Sequence, residues 1–379
     1  MHPPSDDRYL DVDALGVTVR VEVGDLTRDE RNRLREIWSG ARHAGESTPA
    51  VSVAPQLADP FDASVAHLST HVTLAALSAQ KGTLWMLHAG AIADDDGRVV
   101  LFAGPSGMGK TTLMEHLARR YAYVTDESAG VAPDRSVLPY RKPLSVIAQP
   151  GLPKTQRSPS SLGLQPLPRR PLRLHAVVVL DRNDRVHPAV EALDDVEALD
   201  ALAPHCSFLA EIPRPLTTVL GHLAAVGGAV RMRYSQATDV DHLVRDLFQR
   251  RQPRPVGATD LIDVDLRPAP PARGRFTRAP VVDAVRLDDD RLLLLRAGET
   301  ENTLVVLGGV GPVLWRSAEN ATPETLYEAV RSSHASVAEH DIRAAVADAI
   351  EQMRQASLLH GPPPGELETG SSSRGATRS

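Results

Sequence analysis

Gly104-Pro-Ser-Gly-Met-Gly-Lys110-Thr111-Thr112 is the stretch that decides how this 379-residue chain is read. It fits the pattern G-x-x-x-x-G-K-[ST]. The flanks fit too: the apolar run Val99–Ala103 reads as a strand leading in, and a helix is expected from Lys110 to about Arg120. Glycines let the backbone bend until its N–H groups face an anion, and the helix N-terminus adds partial positive charge. Lys110 supplies a full charge to the β- and γ-phosphates, and the Thr111 hydroxyl suits Mg²⁺. The candidate nucleotide site is therefore Gly104, Ser106, Gly107, Gly109, Lys110, Thr111 and Thr112, with ATP and Mg²⁺ as the implied cofactors.

Outward from the loop, the nearest chemistry is an acidic pair. Asp126-Glu127 ends the expected strand Tyr121–Thr125, directly after the loop helix. In an open α/β sheet, ligands sit at the carboxyl ends of strands. One carboxylate can hold Mg²⁺ while the other takes a proton from an attacking hydroxyl. The strand Leu174–Leu180 ends at Asp181 and competes as a metal-binding strand, but Arg182-Asn183-Asp184 after it reads as a surface turn. His88 lies in Leu87-His88-Ala89-Gly90, in an expected strand Leu84–Ala93 before the loop strand. By itself it is an ordinary core histidine.

The rest of the chain organises around this centre. Residues 8–24 alternate as short strands, Thr27-Arg-Asp-Glu30 reads as a capping box, and a helix is expected over Asp62–Gln80 with Val65, Leu68, Val72 and Ala75 or Ala76 as its apolar stripe. Residues 133–170, rich in Pro, Ser and Arg, read as an irregular, mobile excursion. Helical patterning is expected from 191 to 250. The proline-rich segment 252–280 reads as a linker. From 281 the pattern restarts with a hairpin around Asp288-Asp-Asp290, a strand Thr303–Leu307, and helices around Val313–Trp315, after Thr322-Pro323 and after the capping box Ser336–Glu339. The Gly- and Ser-rich tail 361–379 is expected to be disordered.

Three features in order, Leu87-His88-Ala-Gly-Ala91, the glycine loop and Tyr123-Val-Thr-Asp126-Glu127, resemble the catalytic core of HPr kinase/phosphorylase and its relatives. The resemblance implies an α/β P-loop kinase domain, HPr kinase C-terminal-like and akin to PEP carboxykinase. It also implies a catalytic set of Glu127, Asp126, His88 and Lys110: Asp126 with Thr111 on the metal and Glu127 as base. Tyr140-Arg141-Lys142-Pro143 resembles a segment of HPr-kinase-related proteins from peptide-modification clusters, which implies that Lys142, and with it Arg141, reaches the phosphates. The likeness is specific over 84–150 and looser over 8–250. The family's base is usually an aspartate, and the glycine-rich signature that follows its core is not evident, so HPr is not the expected substrate.

Leu307-Gly-Gly-Val-Gly-Pro-Val-Leu-Trp315, with Leu358-Leu359 after the last helix, resembles PqqD-like domains. These are small α+β, winged-helix-like elements that hold leader peptides of ribosomally made, modified peptides. The expected organisation is a kinase unit with an N-terminal portion over 1–83 and a catalytic core over 84–251, the linker 252–280, a PqqD-like domain over 281–360, and the tail. The implied activity is a serine kinase acting on a precursor peptide whose leader is the partner. A nucleotide- and peptide-binding scaffold and a phosphorolytic dephosphorylase stay open as alternatives.

Bulk properties narrow the classes. A net charge of −6, from 42 basic against 48 acidic residues, gives no electrostatic case for nucleic acid. No apolar run approaches the ~20 residues of a membrane span, and the polar, acidic N-terminus lacks the features of a signal peptide. The single cysteine, Cys206, excludes an internal disulfide and fits a cytoplasmic setting. The sequence leaves self-association open.

Overall fold

The computed structural model describes residues 8–45, 48–55, 61–146, 154–184, 186–249, 260–262, 265–298, 302–334 and 339–362. The chain is mixed α/β and divides into two compact units, Met1–Val256 and Gly257–Ser379. Among the described residues no helix is long and apolar enough to cross a membrane.

The first unit is built on a six-stranded sheet in the order Ala189–Ala192, Ala229–Tyr234, Arg173–Arg182, Arg98–Ala103, Ala89–Ala93, Ala122–Thr125. Arg98–Ala103 runs parallel to Arg173–Arg182, which runs parallel to Ala229–Tyr234. Ala89–Ala93 is antiparallel to both its neighbours. The carboxyl ends of four strands, at Ala103, Thr125, Arg182 and Tyr234, therefore share one edge with the start of the strand at Ala89. Val100, Phe102, Val178, Val230 and Met232 from the sheet pack against Leu113, Met114 and Leu117 of the loop helix, Lys110–Leu117.

A second layer covers the N-terminal part. Tyr9–Ala14, Val17–Glu22 and Val51–Val53 form a three-stranded sheet. The helix Phe61–Ala79 packs Val65, Leu68, Val72 and Ala76 into its core, as the stripe in the sequence predicts. The Thr27–Glu30 capping box is present. A four-stranded sheet of Cys206–Ser207, Trp85–Leu87, Ala129–Val131 and Val137–Leu138 completes the unit.

Three expectations are corrected or refined here. Residues 154–170 and 133–146 are not a free excursion: Tyr140, Leu144 and Leu164 are buried, and Leu144–Val146 pairs with Thr155–Arg157. Residues 147–153 lie outside the described residues. The span 191–250 is mainly helical as expected, through Asp195–Leu202, Pro215–Ala225 and Asp241–Gln249, but it also holds the unexpected interior strand Ala229–Tyr234. Its signal was the period-two run Val-Arg-Met-Arg-Tyr, in which Val230, Met232 and Tyr234 face the core. Finally, the expected strand Leu84–Ala93 is two strands, Trp85–Leu87 and Ala89–Ala93, in different sheets and broken at His88.

The second unit has an antiparallel sheet in the order Asp260–Leu261, Asp283–Arg286, Leu292–Arg296, Thr303–Leu307. The helices Gly311–Ser317, Pro323–Ser333 and Glu339–Gln355 close its core around Trp315, Leu326, Ile342, Val346, Ile350 and Met353. Thr322 caps its helix with Pro323 at the first position, as expected. The proposed box at Ser336 and the tail beyond residue 362 lie outside the described residues. The expected linker 252–280 is shortened: Phe276 is buried in this core, and Thr277–Arg278 pairs with Leu359–His360. Arg278 is enclosed, with its guanidinium over Trp315 and donating to the Arg316 carbonyl at 2.9 Å.

Candidate active site

The phosphate loop follows Ala103 at the shared sheet edge. Gly107 and Gly109 have φ of +83° and +88°, values that side chains disfavour, so the loop can turn its N–H groups inward only with glycine there. Lys110 begins the helix and is buried. Its Nζ donates to the carbonyls of Gly104 at 2.6 Å and Pro105 at 3.0 Å, which hold the ammonium at the loop mouth. Burial lowers its pKa, an effect that Glu127 and Asp126 oppose. Ser106, Gly107 and Thr112 are exposed on the loop and first helical turn.

Two chain crossings face this loop. His88 is where the chain passes from the four-stranded to the six-stranded sheet, and Asp126–Ser128 is where it passes back. The strands on either side pair, Leu87 with Ala129 and Ala91 with Thr125, so the crossings are forced together. The imidazole of His88 also bonds the Glu127 backbone. Burial and then Lys110 hold its pKa below the ordinary value, favouring the neutral ring.

Asp126 is buried and central. One carboxylate oxygen accepts from the Thr111 hydroxyl at 3.0 Å, and the other from the Tyr123 hydroxyl at 2.8 Å. Thr111 and Asp126, expected together on a metal, are thus in contact. Among the described residues, no three His, Cys, Asp or Glu side chains converge on a metal position. A hydroxyl and a carboxylate nevertheless suit Mg²⁺, which keeps waters and takes its other oxygens from substrate phosphates.

Lys142 reaches the same place from the segment after Val137–Leu138. Its Nζ lies 2.8 Å from the Glu127 carboxylate and 3.8 Å from that of Asp126, with the lysine side chain only 5% exposed. The loop is pinned by Tyr140, whose hydroxyl lies 3.0 Å from the Thr73 hydroxyl and whose N–H donates to the Val124 carbonyl. Burial pushes the ammonium's pKa down, but the two carboxylates outweigh it, so Lys142 stays charged. Burial likewise pushes Glu127 up, and Lys142, His88 and Lys110 reverse this to leave it below the usual carboxylate range.

Arg141 does not join them. Its guanidinium donates to the carbonyls of Tyr123 at 2.7 Å and Gln165 at 3.0 Å, so it buttresses the strand instead of reaching the loop. Asp181 shares the sheet edge but is half exposed, with Arg233 3.5 Å away. Of these two strand-end aspartates, it is Asp126 that touches Thr111.

The structure adds two residues that the sequence did not single out. His205 accepts the His88 N–H with its carbonyl at 2.7 Å, because Cys206–Ser207 pairs with Met86–Leu87. Its ring lies close enough to Lys110 and His88 that both, after burial, lower its pKa. No local motif marks it; only strand pairing across more than a hundred residues brings it in. Arg182 sits at the sheet edge beside Gly109, its Nε donating to the Ser235 carbonyl at 3.0 Å. Arg182, Asn183 and Asp184 are exposed where the strand ends in a turn, as the surface-turn reading expects, and the structure adds that this turn lies beside the loop.

No family model matches the sequence, and no curated protein matches it. Among solved structures, the HPr(Ser) kinase/phosphatase of Coxiella burnetii is similar to part of the chain. It is 14% identical, over 43% of this chain and 93% of that one, with a TM-score of 0.25.

Proposed function

We propose that this chain is an ATP-dependent phosphotransferase that moves the γ-phosphate to a serine hydroxyl of a ribosomally made peptide, captured by the unit Gly257–Ser379. The observation that carries the reading is the convergence at one sheet edge of Lys110 on its loop, the Thr111–Asp126 contact and the Glu127–Lys142 pair. Thr111 and Asp126 are the residues that would hold Mg²⁺, which would supply charge neutralisation to the phosphates. Glu127 accepts the proton of the acceptor hydroxyl as its oxygen bonds to the γ-phosphorus. The bond from that phosphorus to the β-phosphate oxygen breaks, and ADP carries away the electron pair. Lys110 and Lys142 offset the charge on the transferring group. His88, kept neutral and bonded to the Glu127 backbone, orients the acidic pair.

The peptide half rests on the second unit. Thr303–Leu307 is one of the two edges of its sheet among the described residues, with Val306 exposed. An extended peptide can add there as a further strand, main-chain bonds giving affinity and alternate side chains giving specificity. This agrees with the PqqD-like motif around Trp315.

The test is incubation of the full chain with Mg²⁺, γ-labelled ATP and a serine-containing peptide encoded beside its gene, followed by mass spectrometry. A phosphopeptide that disappears with Lys110→Ala supports the reading. ATP bound with no product from any such peptide would leave a nucleotide-binding scaffold.

A further inference from the structure

The phosphate loop has two sides, and the catalytic residues occupy only one. Thr111, Asp126, Glu127 and Lys142 lie towards the strand Ala122–Thr125. On the other side is a cavity of about 490 Å³, lined by Gly109 and Thr112 of the loop and first turn, Arg182, Tyr234, and Gln236 and Thr238 of the following turn. Its volume lies within the range of small-molecule sites, about 300–1,000 Å³. None of Lys110, Thr111, Asp126 or Glu127 lines it.

A nucleoside triphosphate is a linear ligand. If its γ-phosphate is at Lys110 and the metal pair, the α-phosphate lies against the backbone N–H groups of the first helical turn, and the nucleoside continues past it. Thr112 and Gly109 stand at that end, and the cavity opens from them. The walls are fixed: Tyr234 is buried, with its hydroxyl 3.5 Å from the Met108 carbonyl, and Gln236 is tied into the turn by reciprocal bonds with Asp239. Arg182 bridges loop and cavity. Its Nε is held by the Ser235 carbonyl, and one terminal nitrogen lies 3.1 Å from where a Cβ on residue 109 would stand. A planar guanidinium there can meet a phosphate oxygen or lie against an aromatic ring.

Resting on the nucleotide reading above, we propose that this cavity takes the nucleoside of the triphosphate, and that Arg182 is a nucleotide-binding residue at the junction of nucleoside and α-phosphate.

Calorimetry with two probes, MgATP and magnesium tripolyphosphate, separates the nucleoside from the phosphates. Thr238 is exposed, so Thr238→Trp fills the cavity without disturbing the core. The expected result is tighter wild-type binding of ATP than of tripolyphosphate. Thr238→Trp should lose tenfold or more on ATP and less than twofold on tripolyphosphate. Arg182→Met should weaken both, ATP more. Equal wild-type affinity for the two probes, or unchanged ATP affinity in both variants, would overturn the nucleoside site and leave the phosphate loop standing. Wild-type protein that binds neither probe would overturn the nucleotide reading and this inference together. Thermal melting of each variant identifies misfolding, in which case Arg182→Lys, which keeps the charge and loses the planar fork, decides: ATP affinity equal to wild type would refute the role of Arg182, and a fall would support it.

Discussion

Replacing Lys142 by Met tests the buried charge cluster directly. The substitution keeps an unbranched stem of similar length and removes an ammonium that lies between Glu127 and Asp126. Removing one partner of a fully buried pair costs about 3–5 kcal/mol, because the remaining charge has no compensation. Here the Asp126 side chain is 2% exposed but that of Glu127 is 40% exposed, so water screens part of the loss. The expected cost is therefore about 2–3 kcal/mol, below the fully buried case. For a unit of this size that is a fall in melting temperature of about 4–12 °C. The pH dependence follows from Glu127. Its pKa in the folded state is below the ordinary 4.5, so its stabilising contribution is present above that value and is lost as pH falls through the folded value. The deficit of Lys142→Met should be full near pH 7 and narrow below about pH 4.5, where a protonated Glu127 no longer needs the ammonium. Adding Glu127→Gln to Lys142→Met should cost less than the two single substitutions summed. The assay is thermal unfolding across pH 3.5–8 for the wild type, both single variants and the double variant. A melting temperature within about 1 °C of wild type at pH 7, with no narrowing in acid, would refute the argument.

Glu127→Gln should bind MgATP as wild type does and transfer about 10²–10⁴-fold more slowly, since shape is kept and the base is lost; Asp126→Asn should instead weaken Mg²⁺-dependent binding, and exchanged phenotypes in titration and single-turnover kinetics would reverse the two roles. Cys206 should resist a thiol reagent in the native state at pH 8 and react once in denaturant, because burial pushes its pKa up to about 12 and its Sγ is bonded to Trp85 Nε1 and the Leu202 carbonyl; rapid native reaction would contradict this. A fragment of residues 257–379 should fold alone, whereas 281–379 should not, since the latter lacks Phe276 and the Thr277–Arg278 pairing. In the full chain Phe276→Ala should cost about 3–5 kcal/mol, and circular dichroism and melting curves check both statements.

The sequence by itself determined what is local. The nine residues from Gly104 to Thr112 prescribe a strand, an anion loop and a helix, because glycine backbones, a helix N-terminus and one lysine act within a few residues of each other. The Thr27 box, the Thr322 cap and the stripe of Phe61–Ala79 were legible for the same reason. Asp126 and Glu127 were legible as a strand end beside that loop, although their contacts were not. Tertiary structure decided everything that depends on distant pairing. It broke the apolar run 84–93 at His88 and set that break against Asp126–Ser128, since two neighbouring sheets exchange strands there. It carried Lys142 out of a segment whose composition reads as loop and buried it between two carboxylates, where the cost of desolvation is met only by charges from another part of the chain. It drew Arg141 away from the same site to two backbone carbonyls. His205 and Arg182 carry no motif, and their positions follow from strand pairs formed across roughly eighty to one hundred and twenty residues, a separation at which local pattern holds no information about which side chains meet.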